Sequence, residues 1–332
     1  MDARKENVRI QKWVLIVAIA LFIIKVTAYL ITHSVAILTD ALEGTVNVAA
    51  GIIGLYSLWV AAKPSDIDHP YGHGKAEFIS SAVEGTLITV AGFLIVYEAI
   101  KGMIYPRAIE KLDSGIILIS ITAAVNFVLG HLSIRRGRKN NSLALVASGK
   151  HLKTDTYTTV GIIIGLAALY ITKLAWLDSA IAILFAFIII YTGYKIVRQS
   201  IAGIMDEADT ELLSRMIELI NENRRENWID MHNLRVIKYG GQLHVDAHIT
   251  VPWYLNVHEA HLEIDAIGGL IRKQFGDSLE LFVHSDGCLY YQCNICSKKN
   301  CPVRHADFEK QMDWNMNNVL SNKKHSMEEP GY

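Results

Sequence analysis

The sequence predicts an α-helical membrane protein in which six transmembrane helices precede a soluble α+β domain. Three observations carry this prediction: long apolar runs in the first 200 residues, short amphipathic elements after residue 208, and a change in the sign of the charge between the two parts. Residues 1–200 carry 19 basic and 13 acidic side chains, whereas residues 201–332 carry 13 basic and 20 acidic. The apolar runs exclude a purely soluble enzyme and a disordered chain, and the lack of a strongly basic domain argues against nucleic acid as a partner.

Six runs are long enough to cross a lipid bilayer, because a hydrocarbon core of about 30 Å takes roughly 20 apolar residues in a helix. They cover approximately residues 13–32, 35–62, 78–100, 116–132, 146–171 and 174–194. The first run is longer than the apolar region of a signal peptide, and no small-residue cleavage site follows it. We therefore expect it to stay as a membrane anchor.

Lysine and arginine residues in the short connections set the expected orientation. Four of them precede the first span and four lie between the fourth and fifth: Arg4, Lys5, Arg9 and Lys12, then Arg135, Arg136, Arg138 and Lys139. Six alternating spans put both groups, both termini and the acidic C-terminal part on the cytoplasmic side. The expected location is the inner (plasma) membrane of the cell.

Polar side chains inside two of the spans indicate a metal site. Glu43 and Asn47 in the second span have i, i+4 spacing and lie on one helical face, with Asp40 close to that face. His151 and Asp155 repeat the spacing in the fifth span. Together the two faces form a cage of imidazole nitrogen and oxygen ligands, suited to Zn²⁺, Fe²⁺, Co²⁺ or Mn²⁺. Polar contacts between helices are the alternative interpretation.

Three further charged residues lie within the predicted spans. Glu84 in the third span is interpreted as a third-helix ligand, a proton carrier or the partner of a basic residue. Lys25 and Lys153 are weaker indications of a functional site, because a lysine stem can reach a headgroup or cover an apolar neighbour.

The connection between the second and third spans reads KPSDIDHPYGHGK and contains Asp66, His69 and His73 at spacings of three and four. Its proline and glycines predict a tight, exposed turn. One carboxylate and two imidazoles are able to bind zinc. A solvated polar loop explains the same composition equally well.

From residue 209 onward the pattern predicts short soluble elements. A helix is expected at 211–223, two alternating strands at 234–239 and 243–251 around a Gly240–Gly241 turn, a helix at 257–275 and a strand at 279–284. This αββαβ order predicts a small two-layer α+β domain. Of six histidines between positions 232 and 284, His244 and His258 are interpreted as ordinary surface or core histidines.

All four cysteines of the chain lie in one short segment. They are Cys288, Cys293, Cys296 and Cys301, spaced C-x4-C-x2-C-x4-C and followed by His305. Thiols this close in a reducing compartment are typical of a metal site rather than of disulfides. The spacing suits one tetrahedral Zn²⁺, with a cysteine-ligated iron–sulfur cluster as the alternative. The polar segment beyond Asp307 is expected to be mobile.

The chain from about residue 10 to residue 288 resembles the cation diffusion facilitator family of bacterial divalent-metal/proton antiporters. The most specific matches are SVAILTDALEGTVN in the second span, HPYGHGKAE after it and SGKHLKTD entering the fifth. The resemblance implies a transport site with the ligands Glu43, Asn47, His151 and Asp155. The family usually has Asp-x-x-x-Asp or His-x-x-x-Asp in the second span. The pair Glu-x-x-x-Asn removes one carboxylate, which bears on the transported metal and on the proton stoichiometry.

Three more features follow from the resemblance. The family's loop site corresponds to Asp66, His69 and His73. Lys75 corresponds to a position that forms a charge interlock with an acidic residue after the sixth span, here Asp206. The soluble part corresponds to a ferredoxin-like cytoplasmic domain that dimerises and binds regulatory metal. The matching ligand positions in that domain are His232, His248, His261, His284 and Asp286.

The resulting hypothesis is proton-coupled efflux of a divalent transition metal, with Zn²⁺ placed first and Fe²⁺, Co²⁺ or Mn²⁺ as alternatives. The resemblance implies a homodimeric transporter. An enzyme is not expected, because the sequence has no H-E-x-x-H or comparable constellation. A membrane-anchored metal sensor and an intramembrane metalloenzyme are the alternatives. The expected domains are residues 1–205 for transport, 206–287 for cytoplasmic metal binding, and 288–332 for the cysteine-rich segment with its tail.

Overall fold

The computed structural model describes residues 3–105, 111–139, 143–174, 176–239, 242–276 and 279–327. The predicted Gly240–Gly241 turn and the last five residues of the expected tail lie outside these ranges. The chain divides into two compact units, Met1–Ile204 and Met205–Tyr332. The first unit is helical, and the second combines a sheet with helices.

Six long helices make up the first unit. They are α1 (Ala3–Thr32), α2 (Val35–Ala61), α3 (Ala76–Ile104), α4 (Leu112–Lys139), α5 (Leu143–Thr172) and α6 (Trp176–Ile204). Each is long and apolar enough to cross a membrane, and large apolar side chains such as Phe93 and Ile164 are exposed on the bundle surface. The predicted six-helix membrane fold is confirmed. Several helices continue past the predicted spans because polar turns extend them, as the basic last turn of α4 does.

Glycines set the close packing of two helix pairs. Between α3 and α6, a Cβ atom added at Gly85 would lie 2.9 Å from the Gly193 carbonyl oxygen, and the reverse distance is 2.8 Å. Between α4 and α5, a Cβ atom added at Gly130 would lie 2.8 Å from the Gly149 carbonyl oxygen, and one added at Gly149 would lie 2.7 Å from the Gly130 carbonyl oxygen. Helix association in a membrane depends on van der Waals packing, so small residues at the interface let the backbones approach. The helix that carries two predicted ligands, α5, is thereby held against α4.

A buried carboxylate fixes the start of α2. Asp178 on α6 accepts hydrogen bonds from the Ser34 hydroxyl at 2.5 Å and from the Val35 amide at 2.6 Å. The Ser34 hydroxyl oxygen in turn accepts from the Ile37 amide at 3.2 Å. Negative charge is favourable at a helix N-terminus, where backbone N–H groups lack partners within the helix. These contacts hold α2, which carries the other two predicted ligands, against α6.

The second unit is a three-stranded sheet against which helices pack. Its elements are α7 (Thr210–Glu222), β1 (Asp230–Tyr239), β2 (Gln242–Val251), α8 (Val257–Phe275), β3 (Leu279–Gly287) and the short α9 (Met316–Val319). The strand order is β1-β2-β3, with β1 and β2 antiparallel and β2 and β3 parallel. α8 forms the crossover that a parallel pair requires. The predicted αββαβ order is confirmed.

Local capping and strand alternation explain how this unit is built. The Asp209 carboxylate accepts from the Leu212 amide at 2.9 Å at the start of α7, and Asn256 forms a capping box with Glu259 at the start of α8. The buried core side chains of β2 are Val245, Ala247, Ile249 and Val251. Because alternate residues of a strand point to opposite faces, the even-numbered residues of β2 lie on the other face.

The segment after residue 307 packs onto the second unit, in contrast to the mobile tail that its polar composition predicts. Trp314 and Val319 are 4% and 0% exposed and belong to the main core of this unit. The Arg224 guanidinium lies 3.8 Å from a Trp314 ring centre and donates to the Met312 carbonyl oxygen at 2.6 Å. Apolar side chains stand singly among polar neighbours in this segment and give no periodic pattern. Its packing onto the core therefore could not be predicted from the sequence.

Candidate metal centres

Facing sides of α2 and α5 bring predicted transport ligands into contact. The Asn47 side-chain oxygen lies 2.9 Å from His151 Nε2, and the Asn47 amide nitrogen donates a hydrogen bond to the Asp155 carboxylate. His151 Nε2 is also 3.9 Å from Asp155 Oδ1. The two i, i+4 pairs predicted from the sequence therefore face each other across one helix interface.

Two glutamates border this cluster. Glu43 on α2 accepts a hydrogen bond from the Thr158 hydroxyl at 3.3 Å, and Glu84 Oε1 on α3 lies 3.9 Å from His151 Nε2. An open cleft of about 470 Å³ is lined by Glu43, Asn47, His151, Asp155 and Thr158, together with apolar side chains of α3 and α6. A cation in this cleft meets one imidazole and several side-chain oxygen atoms.

Lys25 and Asp40 form a buried ion pair beside the cluster. The Lys25 ammonium donates to Asp40 Oδ1 at 2.8 Å, and the two residues are 1% and 0% exposed. The Thr159 hydroxyl lies 2.7 Å from the same carboxylate oxygen and 2.8 Å from the Asp155 carbonyl oxygen. Asp40, which the sequence places close to the ligand face of α2, is paired with a lysine. Its role as a possible accessory ligand stays a prediction. Lys25 turns into the protein rather than toward a headgroup.

Asn47 connects the two ligands of α5. Its side-chain oxygen faces His151 Nε2, and its amide nitrogen faces the Asp155 carboxylate. A metal-binding imidazole nitrogen carries no proton, so a cation bound at Nε2 requires the imidazole without a proton on that atom.

The loop between α2 and α3 brings its three predicted ligands together. Ligand atoms of Asp66, His69 and His73 lie within 4.8 Å of one another. Asp66 Oδ1 accepts from the His69 backbone amide at 2.7 Å, and this hydrogen bond is the main reason that the pKa of the Asp66 carboxyl is lowered. The His69 and Asp66 side chains are 56% and 52% exposed, so the group lies at the surface.

Lys75, which precedes α3, belongs to the predicted charge interlock. Its ammonium lies 3.4 Å from the carbonyl oxygen of Ile204 at the C-terminus of α6. Cations are favourable at this end of a helix, where carbonyl groups lack partners. Pairing of Lys75 with Asp206, which belongs to the second unit, stays a prediction.

The sheet of the second unit aligns polar side chains in two rows. The first row consists of His232, His248 and His284, which occupy paired positions on β1, β2 and β3. The second row consists of Asp230, Thr250 and Asp286. Residues two positions apart on a strand share a face, so both rows lie on the face opposite the β2 core residues.

Three members of these rows form a compact group of metal-ligand atoms. His232, His248 and Asp286 place these atoms within 4.8 Å of one another. Asp286 Oδ2 is 3.6 Å from His232 Nε2 and 3.4 Å from His248 Nδ1. Burial, and secondarily the neighbouring His232, lowers the pKa of His248, which favours the neutral imidazole that binds metal. The His284 ring is centred 4.8 Å from the His248 ring, and its side chain is 66% exposed.

His261 and His244 also lie outside the compact group. His261 on α8 has Nε2 3.7 Å from Asp265 Oδ2 and a side chain that is 65% exposed. Its role as a further ligand stays a prediction. His244 is 4% exposed and lies 3.0 Å from the Glu280 carboxylate, in line with its interpretation as an ordinary histidine.

The tail supplies outer contacts to the cytoplasmic group. His325 Nδ1 lies 2.5 Å from Asp230 Oδ1, and the Lys324 ammonium lies 3.0 Å from Asp286 Oδ1. Asp230 Oδ2 is 3.4 Å from His232 Nδ1, an arrangement that orients the imidazole and leaves Nε2 for a metal. Burial alone would raise the pKa of the Asp230 carboxyl, but hydrogen bonds with His232 and His325 hold it well below its usual range.

The cysteine thiols line one pocket. All four are free, and Cys296 is buried while the others are partly exposed. The pocket, of about 470 Å³, is also lined by Trp253, Lys298 and Arg304. Burial raises the pKa of the Cys288 and Cys296 thiols. In the described ranges, the groups with three ligand atoms within 4.8 Å of one another are the loop group and the cytoplasmic group, so no three of the sulfur atoms meet this criterion.

Both units match models of one protein family. Residues 12–205 match the cation efflux transmembrane domain, and residues 208–288 match the cytoplasmic domain of cation efflux proteins. The chain therefore belongs to the cation efflux, or cation diffusion facilitator, family, and it is a multi-pass membrane protein. The family predicted from the sequence motifs is confirmed. The cysteine segment extends beyond both matched ranges.

Several relatives of the chain are named as transporters or efflux proteins. A protein of Synechocystis sp. described as an uncharacterized transporter is 34% identical over 79% of this chain and 84% of its own length. The cation-efflux pump FieF of Shewanella oneidensis is 26% identical over 81% of this chain and 90% of its own. The manganese efflux system protein MneP of Bacillus subtilis is 27% identical over 86% and 98%.

Some residues near these sites received no role from the sequence. Lys25 had an available signal: a lysine inside a span requires a partner, and Asp40 on the neighbouring span carries the opposite charge. Lys324 and His325 had none, because their partners lie far away in the chain and no motif connects them.

Proposed function

We propose that the protein carries a divalent transition-metal cation out of the cytoplasm, in exchange for protons, through the cluster between α2 and α5. The observation that carries the proposal is the contact among Asn47, His151 and Asp155 within helices long enough to cross a membrane. Ionisable groups at that depth are costly and mark ion or proton pathways. Membership of the cation efflux family supports the same direction of transport.

Exchange for protons follows from the chemistry of the ligands. On the cytoplasmic side, a cation binds His151 Nε2 only when that atom carries no proton. When the site faces the other side, protons that bind His151, Asp155 and Glu43 reduce the affinity for the cation and release it. A histidine suits this exchange because its unperturbed pKa of about 6.5 lies close to physiological pH.

The ligand atoms favour a cation that prefers oxygen. Glu43, Asn47 and Asp155 offer oxygen atoms, and His151 offers the nitrogen. Carboxylate and carbonyl oxygens suit Mn²⁺, imidazole suits iron and zinc, and soft thiolate ligands are lacking in the cleft-lining set. We therefore place Mn²⁺ and Fe²⁺ ahead of Zn²⁺, which the sequence-based hypothesis placed first. One relative is named for manganese efflux, which supports this order.

The proposal includes an assembly and an orientation. We infer a homodimer, which the match of residues 208–288 to the family's cytoplasmic dimerisation domain supports. We place it in the inner membrane with both termini in the cytoplasm, because basic residues cluster near the start of α1 and in the last turn of α4. The group formed by His232, His248 and Asp286 then samples cytoplasmic metal and regulates transport. The loop group formed by Asp66, His69 and His73 binds a cation transiently at the surface.

Transport in sealed vesicles tests the proposal. Purified full-length protein is reconstituted with its soluble unit outside and an acidic lumen, and uptake of Mn²⁺, Fe²⁺, Co²⁺ and Zn²⁺ is followed together with lumenal pH. We expect Mn²⁺ and Fe²⁺ uptake that alkalinises the lumen. Glu98→Gln is the control for substitutions of acidic residues in the cleft, because Glu98 lies on α3 near Lys101 and is not among the residues that line the cleft.

Each result bears on one part of the proposal. Uptake that is independent of the pH gradient contradicts proton exchange. Binding of metal by folded protein without flux of any of the four cations contradicts transport and supports a membrane-anchored sensor. A preference for Zn²⁺ over Mn²⁺ and Fe²⁺ contradicts only the proposed order of metals.

A further inference from the structure

The cysteine segment points to a metal site that is separate from the cation path. We propose that Cys288, Cys293, Cys296 and Cys301 bind one Zn²⁺ as thiolates, and that this ion fastens residues 288–327 onto the soluble unit. The model of the family's cytoplasmic domain ends at residue 288, so the segment is an addition to the matched domain. No part of the proposed transport mechanism uses these thiols.

The fold brings the four thiols to one place from different stretches of backbone. Cys288 follows β3, and its amide donates to the Val251 carbonyl oxygen at 2.9 Å, which continues the sheet pairing by one residue. The next two cysteines flank a turn in which the Cys296 amide donates to the Cys293 carbonyl oxygen at 3.4 Å. All four line the same pocket. The C-x2-C turn with one further cysteine on either side offers the four ligands that structural zinc requires.

Backbone N–H groups are directed at three of the four sulfur atoms. Cys293 Sγ accepts from the His305 amide at 3.5 Å. Backbone hydrogen bonds also reach the sulfur of Cys288 from Trp253 and the sulfur of Cys296 from Lys298. A neutral thiol is a weak acceptor, whereas a metal-bound thiolate is a good one. Donors arranged in this way favour thiolates and serve as the outer contacts of a metal site.

Arg304 holds the backbone of the cysteine turn. Its guanidinium donates to the carbonyl oxygens of Cys293 at 2.9 Å, Cys296 at 3.0 Å and Lys298 at 2.7 Å. These bonds organise the backbone of the turn without a metal. The positive charge of Arg304 at the pocket also offsets the negative charge that four thiolates around one Zn²⁺ retain.

Few apolar side chains pack around the thiols themselves. Ile229, Ile295 and Cys296 form a separate small core, with Cys288 packed against it. Metal ligation supplies folding free energy to segments of this kind. The same segment continues to the buried Trp314 and to the contacts of Lys324 and His325 with the cytoplasmic group. A zinc ion at the cysteines therefore stabilises the tail that contacts that group.

Cobalt substitution in the full-length protein tests this proposal independently of transport. Metal-free, reduced protein in detergent is titrated with Co²⁺, and thiol reactivity is measured with and without Zn²⁺. We expect the intense near-ultraviolet absorption of thiolate-bound Co²⁺ at one ion per chain, its loss on addition of Zn²⁺, and protection of all four thiols by Zn²⁺. Cys293→Ser/Cys296→Ser abolishes the absorption. His248→Ala and Asp155→Ala retain it, because nitrogen and oxygen ligands do not produce this band.

The outcomes are separable from those of the transport experiment. A folded wild-type protein with no thiolate–cobalt band and fully reactive thiols in Zn²⁺ overturns the proposal. Purified protein that contains iron and acid-labile sulfide overturns the zinc assignment in favour of an iron–sulfur cluster. If the double serine variant does not fold, the band and the thiol protection of the wild type decide the question, with His248→Ala as the control.

Discussion

The Lys25 ammonium and the Asp40 carboxylate meet at 2.8 Å in a fully buried pair between α1 and α2. The Thr159 hydroxyl on α5 contacts the same carboxylate oxygen and the backbone carbonyl of Asp155. One hydroxyl thus connects the ion pair to the helix that carries a proposed ligand. The pair aligns α1, α2 and α5 around the cation cleft, although neither of its charges faces the cleft.

Lys25→Met is expected to destabilise the protein by about 3–5 kcal/mol, because removal of one partner leaves the other charge buried and unpaired. The measurement is the loss of monodisperse protein in detergent during a thermal ramp. Lys153→Met is the matched control, because Lys153 is only half-buried and its ammonium lies 5.3 Å from the Phe127 ring centre. Its removal leaves no buried carboxylate unpaired.

The double variant Lys25→Met/Asp40→Asn distinguishes pairing from packing. It removes both charges, while the amide oxygen at position 40 still accepts from Thr159, so most of the lost stability is expected to return. If the double variant is as unstable as Lys25→Met, the lysine stem rather than the ion pair stabilises this interface.

Asp155→Ala is expected to abolish cation flux while the protein stays folded. The substitution removes an anionic ligand and the acceptor of the Asn47 amide hydrogen bond, and loss of one such bond costs on the order of 1–3 kcal/mol. Flux into vesicles and the melting temperature are measured on the same preparation, with Asp155→Asn as the variant of nearly equal shape. Robust flux by Asp155→Ala would place the cation path elsewhere.

Asn47→Asp is expected to change the order of metal preference rather than to abolish transport. A carboxylate at position 47 replaces the donor that now faces Asp155, so two anionic groups meet and attract a cation more strongly. Binding of the favoured cation should tighten roughly tenfold, about 1.4 kcal/mol. Affinities for Mn²⁺, Fe²⁺, Co²⁺ and Zn²⁺ are compared with those of Asn47→Ala, which adds no charge. An unchanged series places residue 47 outside the site.

The elements of the fold could be predicted because each has a local signal. Apolar runs marked the six spans, and α8 was predicted with the bounds that the structure has, since an apolar stripe and a terminal glycine mark it. β1 begins at Asp230, four positions before the predicted start. The pairing register shifts between His232 and Arg235, and Asn233 has a φ of 54°. This irregularity interrupts the alternation from which a strand is recognised.

The candidate sites also separate into residues with a local sequence signal and residues without one. The i, i+4 pairs and the cysteine spacing are local, so Asn47, His151, Asp155 and the thiols could be proposed as ligands from the sequence. The contact of Lys25 with Asp40 and the docking of His325 on Asp230 depend on tertiary packing. No spacing within one element encodes such contacts, and the polar composition of the tail gave the opposite prediction.

Lys324→Ala is expected to tighten cation binding at the cytoplasmic group. The Lys324 ammonium contacts Asp286 Oδ1, whereas Oδ2 faces the imidazoles of His232 and His248, so a cation bound at Oδ2 has a like charge close to it. Removal of that charge near the surface should favour binding by on the order of 1–2 kcal/mol, roughly tenfold in affinity. Lys323→Ala is the matched control, because Lys323 is the exposed neighbour in the sequence.

Binding of Zn²⁺ and Mn²⁺ to full-length protein is measured by calorimetry. Each lysine variant is also measured with His248→Ala added, and the difference between the two binding curves gives the binding at the cytoplasmic group. If Lys324 acts mainly by orienting the Asp286 carboxylate, Lys324→Ala weakens binding instead, since outer contacts of a metal ligand support its affinity. Higher salt separates the two roles further. Repulsion between a bound cation and the partly exposed ammonium is screened by salt, so the gain in affinity caused by Lys324→Ala should shrink as ionic strength rises.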